Sequence, residues 1–232
     1  MKKQIPNFLT LLNLASGFIA IILIVRGNII LSVWFIAASL IFDFADGLFA
    51  RLLNAYSQIG LQLDSLADII SFGVAPGLLM HHFILSAEGA DSLALYLQWV
   101  PVIIPLFSGL RLARFNIEGA HSDHFRGLPT PGNAFFIISL VFASQYGESQ
   151  LIENLLNSRL ILCFLTILFA SLMITKVPMF SFKFKHLSFK GNELRIVFIG
   201  AAILLIAGAG FSSLPLIIIL YVVVSIIWAI IT

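Results

Sequence analysis

The chain has 232 residues, of which 60% are hydrophobic and only 10% are charged. A soluble globular domain usually carries about 25% charged residues, so this composition excludes an ordinary soluble domain and indicates that most side chains face lipid. The formal net charge of +2 is too small to indicate a nucleic-acid-binding protein. Because no linker, repeat or low-complexity block divides the sequence, we expect one domain over residues 1–232.

Apolar stretches of membrane-spanning length recur along the whole chain. A transmembrane helix needs about 20 mostly apolar residues, within a range of about 17 to 25. Eight stretches fit this scale, at residues 8–26, 29–50, 62–85, 95–115, 132–147, 158–175, 195–211 and 214–231. The first follows Lys2 and Lys3 without a small-residue cleavage site, so we expect it to be retained rather than removed as a signal peptide. The sequence therefore predicts an all-α fold, a polytopic membrane helix bundle of about eight transmembrane helices.

The distribution of basic residues predicts the orientation of this bundle. An even number of spans places both termini on one side, and cytoplasmic loops are enriched in Lys and Arg. With a cytoplasmic amino terminus, all 13 Lys and Arg residues except Arg26 and Arg159 fall on the cytoplasmic side. We therefore predict a multi-pass protein of the inner (cytoplasmic) membrane with both termini cytoplasmic. The loop 176–195 interleaves lysines with phenylalanines, which indicates either an interfacial segment near anionic headgroups or an ordinary positively charged inner loop.

Four carboxylates lie inside predicted spans, where an ionisable residue is costly and functional by default. Asp43 and Asp46 lie near the cytoplasmic end of the second span, and Asp64 and Asp68 lie near the start of the third. The members of each pair are three or four residues apart, so each pair projects from one helical face. The two spans are antiparallel neighbours, so the pairs can face each other at one depth. Because four ionised carboxylates repel strongly in a low dielectric, we expect two divalent cations with oxygen ligands, Mg²⁺ or Mn²⁺.

Two glycines and one arginine accompany the aspartates. Gly47 in the middle of a helix costs about 1 kcal/mol relative to Ala unless close approach is required, and here it would let a phosphate or nucleotide reach the backbone. Arg51 offers a fixed positive charge for a pyrophosphate, and Gly60 would bring the third span close to the same ligand. A purely structural interpretation pairs the aspartates with Arg51, but one arginine cannot balance four carboxylates.

The segment 43–68 resembles the signature of the CDP-alcohol phosphatidyltransferase family, Asp-x-x-Asp-Gly-x-x-Ala-Arg, eight residues, then Gly-x-x-x-Asp-x-x-x-Asp. The resemblance implies that Asp43, Asp46, Asp64 and Asp68 hold two divalent metals. It also implies that Asp68 accepts the proton of the attacking hydroxyl, and that CDP-diacylglycerol is the donor substrate.

The same resemblance indicates where the donor would be bound. It implies contacts for Gly47 and Arg51, and Ser57 occupies a loop position used similarly in relatives. The amino-terminal run from Pro6 to Thr10 resembles the nucleotide-side segment of the family, although Asn7 and Thr10 are equally good helix caps without it. The candidate residues for binding CDP-diacylglycerol are therefore Pro6, Asn7, Thr10, Gly47, Arg51, Ser57 and Gly60.

Residues outside the signature bear on the acceptor alcohol. The runs 69–77, 111–116 and 125–133 resemble segments of integral-membrane phosphatidylserine synthases, which implies L-serine as acceptor and phosphatidylserine and CMP as products. Arg111 and Arg114 lie three residues apart near the inner end of the fourth span, and either would form the bidentate pair that a carboxylate prefers. Alternatively, both are membrane anchors that extend towards the inner surface.

The expected reaction is a direct displacement at the β-phosphorus of CDP-diacylglycerol. A phosphate-bearing acceptor would also need arginines, so phosphatidylglycerophosphate synthase, which uses glycerol 3-phosphate, is the alternative within the family. From another class, a cation transporter would line its path with intramembrane carboxylates, but these aspartates cluster at one membrane face. Relatives imply a homodimer, and the seventh span is rich in small residues that allow close helix packing.

Overall fold

The computed structural model describes residues 4–87, 93–118, 125–179 and 192–231. The helices in chain order are α1 (Gln4–Val25), α2 (Ile29–Leu52), α3 (Gln58–Asp68), α4 (Ala75–Ser86), α5 (Ala94–Leu97), α6 (Ile103–Glu118), α7 (Thr130–Tyr146), α8 (Gln150–Asn157), α9 (Arg159–Ile174), α10 (Glu193–Ala209) and α11 (Leu214–Ile231). Two short strands, β1 (Phe125–Arg126) and β2 (Pro178–Met179), pair antiparallel. Lys2, Lys3 and most of the predicted lysine- and phenylalanine-rich loop lie outside the described residues.

The predicted all-α membrane bundle is confirmed. Within the described ranges, five helical stretches are long and apolar enough to cross a membrane, and six if the bent pair α8 and α9 counts as one span. One of these five candidate spans is the stretch Glu193–Ile230, which contains both α10 and α11. However, Phe198 and Tyr221 are 23 residues apart and their ring centroids lie 6.0 Å apart, whereas a straight helix would separate them by about 35 Å. Helices α10 and α11 therefore form an antiparallel hairpin, and the number of eight spans stays a prediction.

Helix α7 is the innermost helix of the bundle. Every residue from 136 to 143 is buried, so lipid reaches little of this segment. Phe136 stacks on Phe169 of α9 with ring centroids 3.7 Å apart, and the largest buried side chains of α4 and α9 belong to the same apolar cluster. Packing of this kind supplies the association energy that the hydrophobic effect does not provide between helices in lipid.

Contacts between helix ends define two opposite faces of the bundle. On one face, Arg159 at the start of α9 donates to the carbonyls of Ile84 (3.0 Å) and Ala87 (2.6 Å) at the end of α4. Trp34 and Tyr146 lie on this face too, joining the start of α2 to the end of α7. The end of α2, the start of α3 and the strand pair β1–β2 lie at the opposite face, and all four aspartates lie towards it.

A π-helical segment, Ile69–Val74, directly follows Asp68 and joins α3 to α4. The sequence did not predict it. Short π-helical insertions occur frequently at functional sites, and this one changes the helical register between the aspartate-bearing face of α3 and the buried face of α4. Gly17 of α1 packs against it, since a Cβ at this position would lie 2.7 Å from the Cα of Ser71. The missing side chain therefore lets α1 approach the segment closely.

Substitution of Gly17 by alanine should destabilise the bundle. Inserting a methyl group into a packed contact typically costs about 1–3 kcal/mol, and the neighbour here is backbone that cannot move aside freely. Thermal unfolding in detergent should show a lowered midpoint for Gly17→Ala. The matched control is Ala15→Val, which adds two methyl groups at an exposed position of the same helix. Equal midpoints for the two variants would contradict this packing assignment.

Candidate active site

Three aspartates from two antiparallel helices form an acidic cluster. One carboxylate oxygen of each of Asp43 in α2 and Asp64 and Asp68 in α3 lies within 4.8 Å of the other two. Asp68 is 6% exposed. The helical spacing brings the pairs together as the sequence predicted, because α2 and α3 run in opposite directions at the same depth.

The acidic cluster has the donor set of a divalent-cation site. The Asp64 Oδ1 atom is buried and accepts no hydrogen bond from any described residue. Nor does any described Lys or Arg form an ion pair with the three carboxylates. Adjacent buried carboxylates without counter-charge are strongly unfavourable, and hard oxygen ligands suit Mg²⁺ or Mn²⁺. The residues present therefore fit a bound cation, while the number and identity of ions stay predictions.

Asp46, the fourth predicted ligand, lies beside this group of three. Its Oδ2 accepts a hydrogen bond from the Thr10 hydroxyl at 2.6 Å, and the same hydroxyl lies 3.0 Å from the Pro6 carbonyl. Both Thr10 and Asp46 are buried. Helix α1 thus fixes the orientation of the Asp46 carboxylate, and Thr10 does not cap a helix, because α1 already begins at Gln4.

A cavity of about 350 Å³ opens next to the aspartates, between α1, α2 and the start of α3. Its volume lies in the range of small-molecule sites, about 300–1,000 Å³. All seven candidate donor-contact residues line it together with two of the aspartates: Pro6, Asn7, Thr10, Asp46, Gly47, Arg51, Ser57, Gly60 and Asp64. We call it the donor cavity. Tyr56 also lines it and is 66% exposed, and no motif marked this loop residue in the sequence.

Gly47 and Arg51 occupy one side of the donor cavity. A Cβ at Gly47 would meet only the Nη2 atom of Arg51, at 3.9 Å, so this glycine keeps the cavity open rather than allowing helix packing. The Arg51 Nε donates to the Gly47 carbonyl at 2.9 Å and the side chain is exposed. The interpretation in which Arg51 neutralises the aspartates therefore finds no support.

The opposite side of the donor cavity is formed where α1 approaches the start of α3. Ser57 is the N-cap of α3, and its Oγ accepts from the Gly60 N–H at 2.9 Å. A Cβ at Gly60 would lie 2.9 Å from that Oγ and 3.0 Å from the Asn7 Oδ1. Only glycine permits this approach, which brings the amide of Asn7 to the cavity.

Asn13 connects the three helices that build the site. Its Nδ2 donates to the Asp68 Oδ1 at 3.3 Å. Its backbone carbonyl accepts from the hydroxyls of Ser39 in α2, at 3.1 Å, and Ser71 in the π-helical segment, at 3.0 Å. The three side chains are fully buried. Neither serine was predicted from the sequence to contribute to the site, although small polar residues within apolar helices commonly form such interhelical bonds.

The structure separates the two predicted acceptor arginines. Helix α6 runs antiparallel to α3, since Asn116 donates to Ser65 at 2.9 Å and Gly109 packs against Ile69. This register places Arg111 at the depth of Asp68, and its Nη1 donates to the Thr130 hydroxyl of α7 at 3.2 Å. Arg114, one turn further on, is exposed.

The fold and the acidic cluster together define a polytopic membrane protein with a candidate divalent-metal centre. Residues 3–175 match the model of the CDP-alcohol phosphatidyltransferase family, and the chain belongs to this family. The family is generally dependent on divalent metals.

Relatives named CDP-diacylglycerol–serine O-phosphatidyltransferase are similar to this chain. The protein from Helicobacter pylori (strain 26695) is 36% identical over 138 residues, which cover 59% of this chain and 56% of the relative. The protein from Bacillus subtilis (strain 168) is 37% identical over 145 residues, which cover 60% of this chain and 76% of the relative. The protein from Methanocaldococcus jannaschii is 36% identical over 173 residues, which cover 75% of this chain and 72% of the relative. The match thus spans little more than half of the Helicobacter relative.

Metal binding to the acidic cluster should be measurable without turnover. We expect Mn²⁺ to bind the purified protein and to raise its thermal unfolding midpoint, since a ligand that binds only the folded state stabilises it. Asp64→Asn should weaken Mn²⁺ binding at least about tenfold, because it removes a charged ligand. The change Glu153→Gln on the exposed surface of α8 is the control and should leave Mn²⁺ affinity as in the wild type. An unaltered affinity in Asp64→Asn would exclude this residue as a ligand.

Proposed function

We propose that the protein transfers the phosphatidyl group of CDP-diacylglycerol to the hydroxyl of L-serine, giving phosphatidylserine and CMP. The observation that carries the proposal is the donor cavity, where the seven residues expected from the family resemblance meet beside the acidic cluster. Relatives that are 36–37% identical and named for this reaction support serine as the acceptor.

The donor cavity suits the headgroup of a lipid nucleotide. The Asn7, Thr10 and Ser57 side chains supply polar groups, and Arg51 supplies a positive charge for the pyrophosphate. Leu61 lines the same cavity and is 42% exposed, and Leu52 and Ile59 nearby are 67% and 74% exposed. These apolar side chains face the lipid, so the diacylglycerol portion of the donor would extend from the cavity into the bilayer.

Asp68 is the proposed general base. Its Oδ1 accepts from Asn13, which holds the carboxylate in a fixed orientation for accepting the proton. The serine hydroxyl attacks the β-phosphorus while its proton passes to Asp68, a new O–P bond forms, and the P–O bond to CMP breaks. Divalent cations, when bound, would neutralise the carboxylates and offset charge on the phosphates.

The proposed topology has eight spans, both termini in the cytoplasm and the site at the cytoplasmic face of the inner membrane. It is supported by the alternation of helix ends between two faces of the bundle and by the hairpin of α10 and α11. At that face, soluble serine and CMP reach the site from the cytoplasm. We also propose a homodimer, for which the lipid-exposed face of α10 around Gly200 and Gly208 offers a closely packing surface.

Two alternative functions are distinguished from this proposal by experiment. The phosphate of glycerol 3-phosphate would also bind Arg111, so a phosphatidylglycerophosphate synthase is the alternative within the family. A cation transporter would need ionisable groups along a path through the membrane. The acidic cluster lies at one end of the bundle, which argues against that alternative.

Purified protein supplied with CDP-diacylglycerol and Mg²⁺ or Mn²⁺ should release CMP when L-serine is added. Glycerol 3-phosphate and inositol phosphate should support much less release, because neither presents the ammonium and carboxylate of serine. CMP release with glycerol 3-phosphate but not with L-serine would show that glycerol 3-phosphate, and not serine, is the acceptor. Cation flux in proteoliposomes without CMP release would favour the transporter.

Replacing Asp68 by asparagine should abolish most of the turnover while leaving a folded protein. A general base contributes about 10²–10⁴-fold, so the rate of CMP release should fall by at least about 100-fold. Retained binding of CDP-diacylglycerol and an unchanged unfolding midpoint would show that the fold is intact. Turnover near the wild-type rate would exclude Asp68 as the base.

A further inference from the structure

Three buried polar atoms, one each in α1, α6 and α7, form no hydrogen bond in the part of the chain that the structure describes. They are the Asn13 Oδ1, the Arg111 Nε and the Asn133 Nδ2. Asn13 and Asn133 are at most 1% exposed. A buried polar group left without a partner costs about 1–3 kcal/mol, so three of them on helices that pack against α3 or the π-helical segment favour a bound ligand.

Two of these atoms belong to α6 and α7, and the third, the Asn13 Oδ1, belongs to the amide that donates to Asp68. The register of α6 against α3 places Arg111 at the depth of Asp68. Its Nη1 bond to Thr130 holds the guanidinium against the start of α7. Asn133 follows Thr130 by three residues, so both side chains project from one face of α7. None of the three residues lines the donor cavity, which lies between α1, α2 and α3.

The unpartnered atoms match the groups of a zwitterionic amino acid. The Nε of Arg111 and the Nδ2 of Asn133 are both donors, and a pair of donors suits a carboxylate. The Oδ1 of Asn13 is an acceptor and suits an ammonium group. Since the Nδ2 of Asn13 is bonded to Asp68, an ammonium on Asn13 would hold the neighbouring hydroxyl close to the proposed base.

We propose that Arg111, Asn133 and Asn13 form an acceptor subsite in which Arg111 and Asn133 bind the carboxylate of L-serine and Asn13 binds its ammonium. The proposal rests on the proposed function and assigns the carboxylate to Arg111 rather than to the exposed Arg114. Asn133 is the specificity-determining residue, because it selects acceptors that carry a carboxylate. A hydroxyl compound of the same size without that group would leave two buried donors unpaired.

Steady-state kinetics with L-serine and with serinol, which replaces the carboxylate by a hydroxymethyl group, test the subsite. Asn133→Ala removes the donor without adding volume at this buried position, so the KM for serine should rise by about 10- to 100-fold. The KM for CDP-diacylglycerol should be unaffected. The preference for serine over serinol should fall by a similar factor. Asn133→Asp keeps the size and opposes the carboxylate with a like charge, so it should raise the KM for serine at least as much.

Controls separate this subsite from general loss of structure. Gln145→Leu, at the exposed end of α7, and Arg26→Gln, in the exposed turn before α2, should keep the wild-type KM for serine. Arg114→Gln should raise that KM less than Arg111→Gln does. A wild-type protein that releases no CMP with serine would refute the proposed function. Normal wild-type turnover, together with an unchanged serine KM and an unchanged serinol discrimination in both Asn133 variants, would refute the subsite alone.

Discussion

Mutual repulsion between carboxylates buried at one end of a lipid-embedded bundle is the constraint on which the site depends. Asp43, Asp64 and Asp68 come within 4.8 Å of one another, and no described basic residue forms an ion pair with them. A fold tolerates such an arrangement only if a ligand neutralises it or if packing energy elsewhere offsets the cost. The dense apolar packing around α7 supplies packing energy, and a divalent cation would supply the neutralising charge.

Hydrogen bonds from neighbouring helices hold the carboxylates of this site in place. Thr10 orients Asp46, and Asn13 orients Asp68 while its carbonyl binds hydroxyls from α2 and the π-helical segment. Helix α1 carries no charged residue within its described length, yet it positions two of the four aspartates. In metal sites, partners of this kind orient the ligands and tune their affinity. The amino-terminal helix is therefore part of the site rather than only a membrane anchor.

Much of the site could be predicted from the sequence because it depends on local spacing. Aspartates three and four residues apart share a helical face in any helix, and a short loop brings two antiparallel faces together. Gly47, Arg51 and Gly60 belong to a signature with fixed spacing, the other four donor-contact residues were implied by the family resemblance, and all seven line the cavity. The fold class followed from apolar stretches of membrane-spanning length.

Features that depend on tertiary contacts escaped prediction. The π-helical segment, the separation of Asp46 from its neighbours and the different environments of Arg111 and Arg114 arise from the register between helices, which no single stretch encodes. Asn133 ends the run 125–133 that resembles phosphatidylserine synthases, but the sequence assigned it no role, because its proposed importance comes from the bond between Arg111 and Thr130 one turn before it. Ser39 and Ser71 are unremarkable in sequence and become significant only through the carbonyl they share.

The exposed leucines beside the donor cavity bear on how the protein would meet its proposed donor. Leu61 lines the cavity and is exposed, as is Leu52 nearby, so in the proposed arrangement the cavity would open to the hydrocarbon layer as well as to water. A donor anchored there arrives by lateral diffusion within the membrane plane, while the acceptor arrives from solution in three dimensions. The rate of encounter with the donor then depends on its mole fraction among the lipids rather than on its bulk concentration. Dilution with inert lipid would therefore slow encounter with the donor even when the total amount of donor is constant.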